Sequence, residues 1–161
     1  MEQLATDLGN RLLQDKLVIA LAESCTGGWL SKMITDVAGS SQWFDRGFIT
    51  YTNSAKIEML GVKPATLDAH GAVSEQTVAE MAKGAIEQSK ADLAIAISGI
   101  AGPGGGSDAK PVGLVCFAWA RRSKFCDTES KRFTGDREQV RYQAASYAMS
   151  EMLQKLMIES S

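Results

Sequence analysis

An apolar run that leads into a glycine-containing turn constrains the fold of this chain more than any other feature. Residues 17–22 have the sequence LVIALA, a pattern typical of a strand that is buried on both faces. Residues 23–28, with the sequence ESCTGG, follow directly, and apolar residues then recur at helical spacing from Trp29 to Val37. This order predicts a buried strand, a tight turn and a helix.

The rest of the chain alternates between helices and strands. Leucines at helical spacing predict an amphipathic helix before the first strand, and Lys63 with Pro64 predicts a loop. We predict further strands over residues 44–52, 92–98, 111–120 and 125–133, the last two as a hairpin, and further helices over residues 54–60, 74–90 and 135 to about 158. Together these elements predict one domain over residues 1–161. Its expected fold is three-layer α/β, with helices flanking a mixed, mostly parallel sheet.

Composition restricts the partners that this chain can bind. The 17 Lys and Arg residues against 19 Asp and Glu residues give a net charge of -2, whereas nucleic acid and acidic membranes attract clustered basic residues. The first residues do not resemble a secretory signal. The longest uncharged apolar stretch, residues 112–120, is far shorter than the roughly 20 residues of a membrane span. We expect a cytoplasmic protein with no nucleic-acid or membrane partner.

The cysteines and the single histidine offer little for metal binding. Cys25, Cys116 and Cys126 lack CxxC spacing, so we predict neither a disulfide framework nor a zinc site. Cys25 is a competing nucleophile, because a helix N-terminus lowers the pKa of a thiol. It is adjacent to Ser24, however, and we favour a small buried cysteine that fills the turn.

Ser24 is the first candidate for chemistry. It follows the buried strand and precedes a helix expected to begin near Thr26, so it lies where open α/β folds place their ligands. The N–H groups of that helix end would stabilise an oxyanion formed by attack of Ser24 on a carbonyl group. The alternative is that Ser24 only caps the helix, and from this position alone the cap is favoured.

A serine nucleophile needs a base, and two candidates are present. His70 lies in a turn-like stretch and is better explained as a structural residue. Lys56 lies in the first turn of a helix that we expect Asn53 to cap, where the helix dipole and burial both lower the pKa of a lysine. Tyr51, at the preceding strand end, is placed to orient a proton between Lys56 and Ser24. The alternative for Lys56 is a solvated surface residue.

Residues 98–107 form the most glycine-dense segment of the chain. A glycine loop after a strand lets backbone N–H groups approach a phosphate closely, although the segment matches neither the P-loop nor the dinucleotide fingerprint. Arg137 could add a guanidinium group to such a phosphate, and Arg141 lies one helical turn further on. Solvated helix charge is the alternative for both, and for Arg141 it is the favoured one.

Six motifs occur in order along nearly the whole chain. They are AESCTGG at 22–28, YTNSAK at 51–56, HGAVS at 70–74, SGIAGPGGG at 98–106, KPVG at 110–113 and GDR at 135–137. Together they resemble the CinA C-terminal domain family, the nicotinamide-nucleotide amidases. The resemblance implies hydrolysis of the carboxamide of nicotinamide mononucleotide to nicotinate mononucleotide and ammonia, in pyridine-nucleotide recycling. It further implies no metal, no cofactor and no ATP, and it suggests a homo-oligomer.

The resemblance and the residue chemistry agree on roles at one site. Ser24 attacks the amide carbon, Lys56 acts as base with Tyr51 orienting the proton, and backbone N–H groups near Cys25 and Thr26, or near Gly99, hold the oxyanion. The expected phosphate-binding and substrate-binding residues are Ser98, Gly99, Gly102, Gly104, Gly105, Gly106, Lys110 and Arg137. Many family members carry Thr at the position of Ser98, which keeps the hydroxyl group.

Two alternatives remain open at this point. The chain could bind a pyridine nucleotide as a regulatory module without cleaving it, in which case Ser24 would be a helix cap only. The joint presence of Ser24, Tyr51 and Lys56 argues against such a module. An amidase for a different nucleotide or small amide is the other alternative, because the glycine loop reads a phosphate better than it reads a base.

Overall fold

The computed structural model of the chain describes residues 2–159, so residues 1, 160 and 161 of the predicted domain lie outside the described residues. Within that range a single α/β domain is formed by six α-helices, one short 3₁₀ helix and five strands. The elements are α1 Glu2–Asp15, β1 Ile19–Glu23, α2 Trp29–Thr35, the 3₁₀ helix Ser40–Gln42, β2 Phe44–Ile49, α3 Asn53–Leu60, α4 Pro64–His70, α5 Glu75–Glu87, β3 Leu93–Gly99, β4 Leu114–Arg121, β5 Phe125–Arg132 and α6 Arg137–Glu159.

The sheet confirms the predicted fold class. Its strand order is β2-β1-β3-β4-β5, with β1 parallel to both β2 and β3. The β4–β5 hairpin is antiparallel, and β4 is also antiparallel to β3. Because β1, β2 and β3 run in one direction, their carboxyl ends lie at the same edge of the sheet. Ser24 follows the end of β1, Tyr51 follows the end of β2, and Ser98 lies at the end of β3.

The two faces of the sheet bury side chains of different size. On β3, Leu93, Ile95 and Ile97 belong to the cluster that packs against α1, α2 and α6, whereas Ala94 and Ala96 face α5 and its neighbours. The same alternation of large and small residues occurs on β1 and β4. Small side chains allow a helix to approach a sheet closely, so α5 lies close to the sheet while the larger residues fill the opposite layer.

Three local expectations are wrong in detail. The segment after Lys63 is helix α4 rather than a loop, because Pro64 occupies its first turn, where proline is tolerated. Helix α2 begins at Trp29 rather than near Thr26. The N-cap of α3 is Thr52 rather than Asn53, and its side chain accepts a hydrogen bond from the N–H of Ala55.

None of the helices within residues 2–159 combines the length and the hydropathy needed to cross a membrane.

Candidate active site

Ser24 and Lys56 meet in the interior at the carboxyl edge of the sheet. The Nζ atom of Lys56 lies 3.0 Å from the Oγ atom of Ser24. The same ammonium or amine nitrogen donates to the main-chain carbonyls of Thr50 at 2.8 Å and Tyr51 at 3.2 Å. Lys56 is only 1% exposed, so the alternative of a solvated surface lysine is wrong.

The environment of Lys56 shifts its protonation equilibrium toward the uncharged amine. Burial lowers the pKa of Lys56 below its ordinary value, because the surrounding protein solvates the charged form poorly. Its position in the first turn of α3 acts in the same direction, since the partial positive charge of a helix N-terminus opposes a cation. An amine that is neutral part of the time can accept the proton of a neighbouring hydroxyl group.

Ser24 does not cap helix α2, contrary to the alternative left open by the sequence. The N-cap position of α2 is Gly28, which has no side chain to accept a hydrogen bond. The side chain of Glu23 satisfies the helix start instead, because its carboxylate accepts hydrogen bonds from the N–H groups of Leu30 at 3.0 Å and Ser31 at 2.9 Å. The Ser24 hydroxyl group is therefore left to face Lys56.

Sequence reasoning missed the roles of two charged side chains beside the turn. Glu23, fully buried, also accepts from the hydroxyl group of Thr26 at 2.7 Å. Arg141 on α6 donates from Nε to the carbonyl of Cys25 at 2.9 Å and from Nη2 to the carbonyl of Thr26 at 3.1 Å. The favoured interpretation of Arg141 as a solvated helix charge is therefore wrong, and no local pattern predicts its contact with Cys25, 116 residues away along the chain.

A cleft of about 270 Å³ opens beside the Ser24–Lys56 pair. Its walls are the turn at residues 24–28, the segment after β2, the glycine loop and the start of α6. The predicted site residues that line it are Ser24, Cys25, Tyr51, Lys56, Ser98, Gly99, Gly102, Gly104, Gly105 and Arg137. Ala72 and Val73, which the predicted residue set did not include, complete the wall from the α4–α5 connection.

Tyr51 and Arg137 form the rim of the cleft. The Arg137 guanidinium group donates to the carbonyl of Gly102 at 2.7 Å and to the hydroxyl group of Tyr51 at 3.1 Å. The Tyr51 side chain is 58% exposed, and it is the main-chain carbonyl of Tyr51 that contacts Lys56. Lys56 thus reaches Ser24 directly, and the phenol lies at the entrance with Arg137.

Three predicted site residues do not line this cleft. Thr26 is fully buried, with its hydroxyl group bonded to Glu23. Lys110 donates from Nζ to the carbonyl of His70, and both residues line a neighbouring groove. Gly106 packs against Val112 and lies beyond the cleft wall. His70 does not line the cleft, and the side chain that contacts Ser24 Oγ is that of Lys56.

The surroundings of Cys25 disfavour the thiolate form that a cysteine nucleophile needs. Burial raises the pKa of its thiol to about 12, because a thiolate would lose its hydration there. The positive charge of Arg141 opposes this effect but is smaller. The structure thus supports the interpretation of a buried residue that fills the turn. Within residues 2–159, no three His, Cys, Asp or Glu side chains cluster in a way that could hold a metal ion.

Fold and site together define an α/β domain in which a serine meets a buried lysine beside a glycine-rich loop. The chain matches the family model of the CinA C-terminal domain over residues 1–157, and it belongs to that family. The resemblance seen in the six sequence motifs is thereby confirmed.

Several proteins are similar to this chain over nearly its whole length. The nicotinamide-nucleotide amidohydrolase PncC of Escherichia coli strain K12 is 52% identical over 155 residues, which span 96% of this chain and 94% of that protein. The protein of the same name from Enterobacter agglomerans is 50% identical over the same shares. The crystal structure of the competence/damage inducible protein CihA from Agrobacterium tumefaciens has a TM-score of 0.93 at 46% identity, covering 96% of this chain and 94% of that one.

Proposed function

We propose that this chain is an amidohydrolase that converts nicotinamide mononucleotide and water to nicotinate mononucleotide and ammonia. The observation that carries the proposal is the 3.0 Å contact between Lys56 Nζ and Ser24 Oγ in a buried environment. The choice of substrate is supported by relatives at 52% identity that carry the name nicotinamide-nucleotide amidohydrolase.

In the first half of the reaction, the Ser24 hydroxyl group attacks the carboxamide carbon. The neutral amine of Lys56 accepts the hydroxyl proton as the bond between Oγ and carbon forms, and the carbonyl oxygen becomes an oxyanion. Cys25 lines the cleft, and its N–H group donates to no other residue within residues 2–159, so it is available to that oxygen. The protonated Lys56 then gives its proton to the amide nitrogen, and ammonia leaves.

In the second half, water hydrolyses the ester that now joins nicotinate to Ser24. Lys56 is neutral again after ammonia has left, so it removes a proton from the attacking water. The second tetrahedral intermediate collapses with Ser24 Oγ as the leaving group, and Lys56 returns the proton to it. One lysine therefore serves both halves, and we propose that the reaction needs neither a metal nor a cofactor.

The rest of the cleft would hold the nucleotide. We assign the phosphate to the glycine loop, Ser98 and Arg137, because backbone N–H groups and a guanidinium group bind phosphate well. The contacts of Arg137 with Gly102 and Tyr51 use two of its five N–H donors, so the guanidinium group keeps donors for a phosphate. This remote binding energy positions an unreactive amide against Ser24.

The decisive experiment measures ammonia release from nicotinamide mononucleotide with a chelator present and without ATP. We expect release by the natural protein and by Ser40→Ala, a control at a serine that is also mostly buried but belongs to the 3₁₀ helix. Ser24→Ala should lose turnover by at least about a thousandfold while it still binds the nucleotide. If the natural protein binds the nucleotide without releasing ammonia, the result would instead favour a regulatory module. If it neither binds the nucleotide nor releases ammonia, the substrate would be a different amide.

A further inference from the structure

The sequence of the turn that carries Ser24 does not by itself hold the main chain in one conformation. It runs from Ser24 to Gly28, and both of its glycines, Gly27 and Gly28, adopt positive φ values of 59° and 100°. Glycine confers conformational freedom on the main chain, so such a turn needs outside contacts to hold one conformation. A displacement of about 1 Å in a reacting atom costs orders of magnitude in rate.

The main-chain N–H group of Ser24 donates to the carbonyl of Ile97 on β3 at 3.0 Å, and two charged side chains hold other atoms of the turn. Glu23 holds the Thr26 side chain and the first N–H groups of α2. Arg141 holds the main chain itself, because its guanidinium group donates to the carbonyls of Cys25 and Thr26. The ring of Trp29 lies 5.4 Å from the centre of that guanidinium group and limits its movement.

The anchor for Arg141 is firm. Helix α6 has 23 residues, and Ala144, Ala145 and Ala148, which follow Arg141, are fully buried in the core. A guanidinium group with two parallel donors fixes the orientation of the peptide groups that it binds, which a flexible ammonium group does not. Because peptide groups are planar, fixing the Cys25 and Thr26 carbonyls also restricts the main chain next to Ser24.

We propose that Arg141 is a positioning residue for the reaction at Ser24. Its two hydrogen bonds hold the turn so that Ser24 Oγ stays against Lys56 and the Cys25 N–H group faces the cleft. This inference rests on the proposed function, since it assigns a part in the same reaction. Arg141 does not line the cleft, so it acts through the turn rather than on the substrate.

The chain offers a matched control at the opposite end of the sheet. Arg122, in the turn between β4 and β5, donates from Nη2 to the carbonyls of Ile86 at 3.0 Å and Ala91 at 2.8 Å. Its substitution by Gln therefore removes the same kind of interaction without touching the turn at residues 24–28. Comparison of Arg141→Gln with Arg122→Gln separates positioning from a general loss of structure.

The first test is the kinetics of ammonia release at saturating nicotinamide mononucleotide. We expect Arg141→Gln to lower kcat by about 10- to 100-fold with KM changed by less than about threefold, because the missing groups do not contact the substrate. Arg122→Gln should keep kcat within about twofold of the natural protein. Arg141→Lys keeps the charge but not the paired donors, and it should be slow as well. The Arg141→Lys variant also tests the inference if Arg141→Gln does not fold. A kcat for both Arg141 variants within twofold of Arg122→Gln would overturn the inference.

The second test does not require the amide substrate. A fluorophosphonate reacts with an activated serine when its Oγ bonds to phosphorus, fluoride leaves and the hydroxyl proton passes to the base. We expect Ser24 labelling, followed by mass spectrometry, to be at least about tenfold slower in Arg141→Gln than in Arg122→Gln. Equal labelling rates would contradict the positioning role, whereas absence of ammonia release by the natural protein would contradict the proposed function alone.

Discussion

The base of the proposed mechanism, Lys56, has no carboxylate partner among the described residues. Lys56 contacts a hydroxyl group and two carbonyl oxygens, and none of the ion pairs within residues 2–159 includes it. A carboxylate would stabilise the ammonium form and raise the pKa, whereas carbonyl oxygens compensate the charge only partly. The amine is therefore uncharged more often than that of a surface lysine, as the proposed role of a base requires.

The pH dependence of turnover follows from this state of Lys56. Because only the neutral amine accepts the Ser24 proton, kcat/KM for ammonia release should rise with pH and level off above the lowered pKa, which lies below the ordinary 10.5. Lys56→Arg cannot lose its proton in this range, so it should be slower by at least about a thousandfold at every pH. A pH-rate profile of both proteins checks this, and a flat profile for the natural protein would remove Lys56 from the role of base.

At the level of secondary structure, the connection between β1 and α2 decides where Ser24 points. The strand ends at Glu23, whose carboxylate accepts hydrogen bonds from main-chain N–H groups in the first turn of α2. The helix start is thereby satisfied without Ser24. Because Ser24 is not needed as the helix cap, its hydroxyl group can face Lys56 on α3.

We predict that Glu23→Gln destabilises the domain by about 1–3 kcal/mol. Main-chain N–H groups face both carboxylate oxygens, and the amide nitrogen of Gln would oppose one of them in either orientation. Glu75→Gln is the matched control. Among the described residues, Glu75 accepts from the hydroxyl groups of Thr128 and Ser130 alone, and these can rotate to accept from an amide. Urea unfolding of both variants measures the free energies, and an equal loss would contradict this account of Glu23.

The elements that the sequence did not predict share one cause, which is competition between local signals and tertiary contacts. Strands β1 and β3 were predictable because continuous apolar runs mark strands buried on both faces. Helix α4 was not, because Pro64 signals a loop and a helix start equally well. The start of α2 was misplaced because its cap comes from Glu23, seven residues before Leu30, rather than from a local side chain.

At the scale of the whole molecule, the site is assembled from distant parts of the chain at one sheet edge. Ser24 and Lys56 were predictable, since each follows the end of a strand and such ends converge in a parallel sheet. Arg141 was not, because only the packing of α6 across the sheet brings it to the turn. The sequence also could not predict that Lys110 lies outside the cleft, since this depends on the contact of Lys110 with the His70 carbonyl.

The lowered pKa of Lys56 also links the active site to the stability of the domain. Between that lowered pKa and 10.5, the unfolded chain carries more protons at Lys56 than the folded chain does. Raising the pH through this interval therefore favours the folded state, and each unit of lowering contributes about 1.4 kcal/mol. Lys56→Met cannot titrate, so it lacks this contribution at every pH.

We therefore predict that the Tm of the natural protein increases relative to that of Lys56→Met as the pH is raised from about 7 toward 10. Other groups that titrate in this range are shared by the two proteins and cancel in the difference. The carbonyls of Thr50 and Tyr51 lose their donor in the variant, but this loss adds a constant that does not vary with pH. A Tm difference that stays constant over the whole range would mean that folded and unfolded chains bind the Lys56 proton equally well, and the amine would then lack the basis for its proposed role.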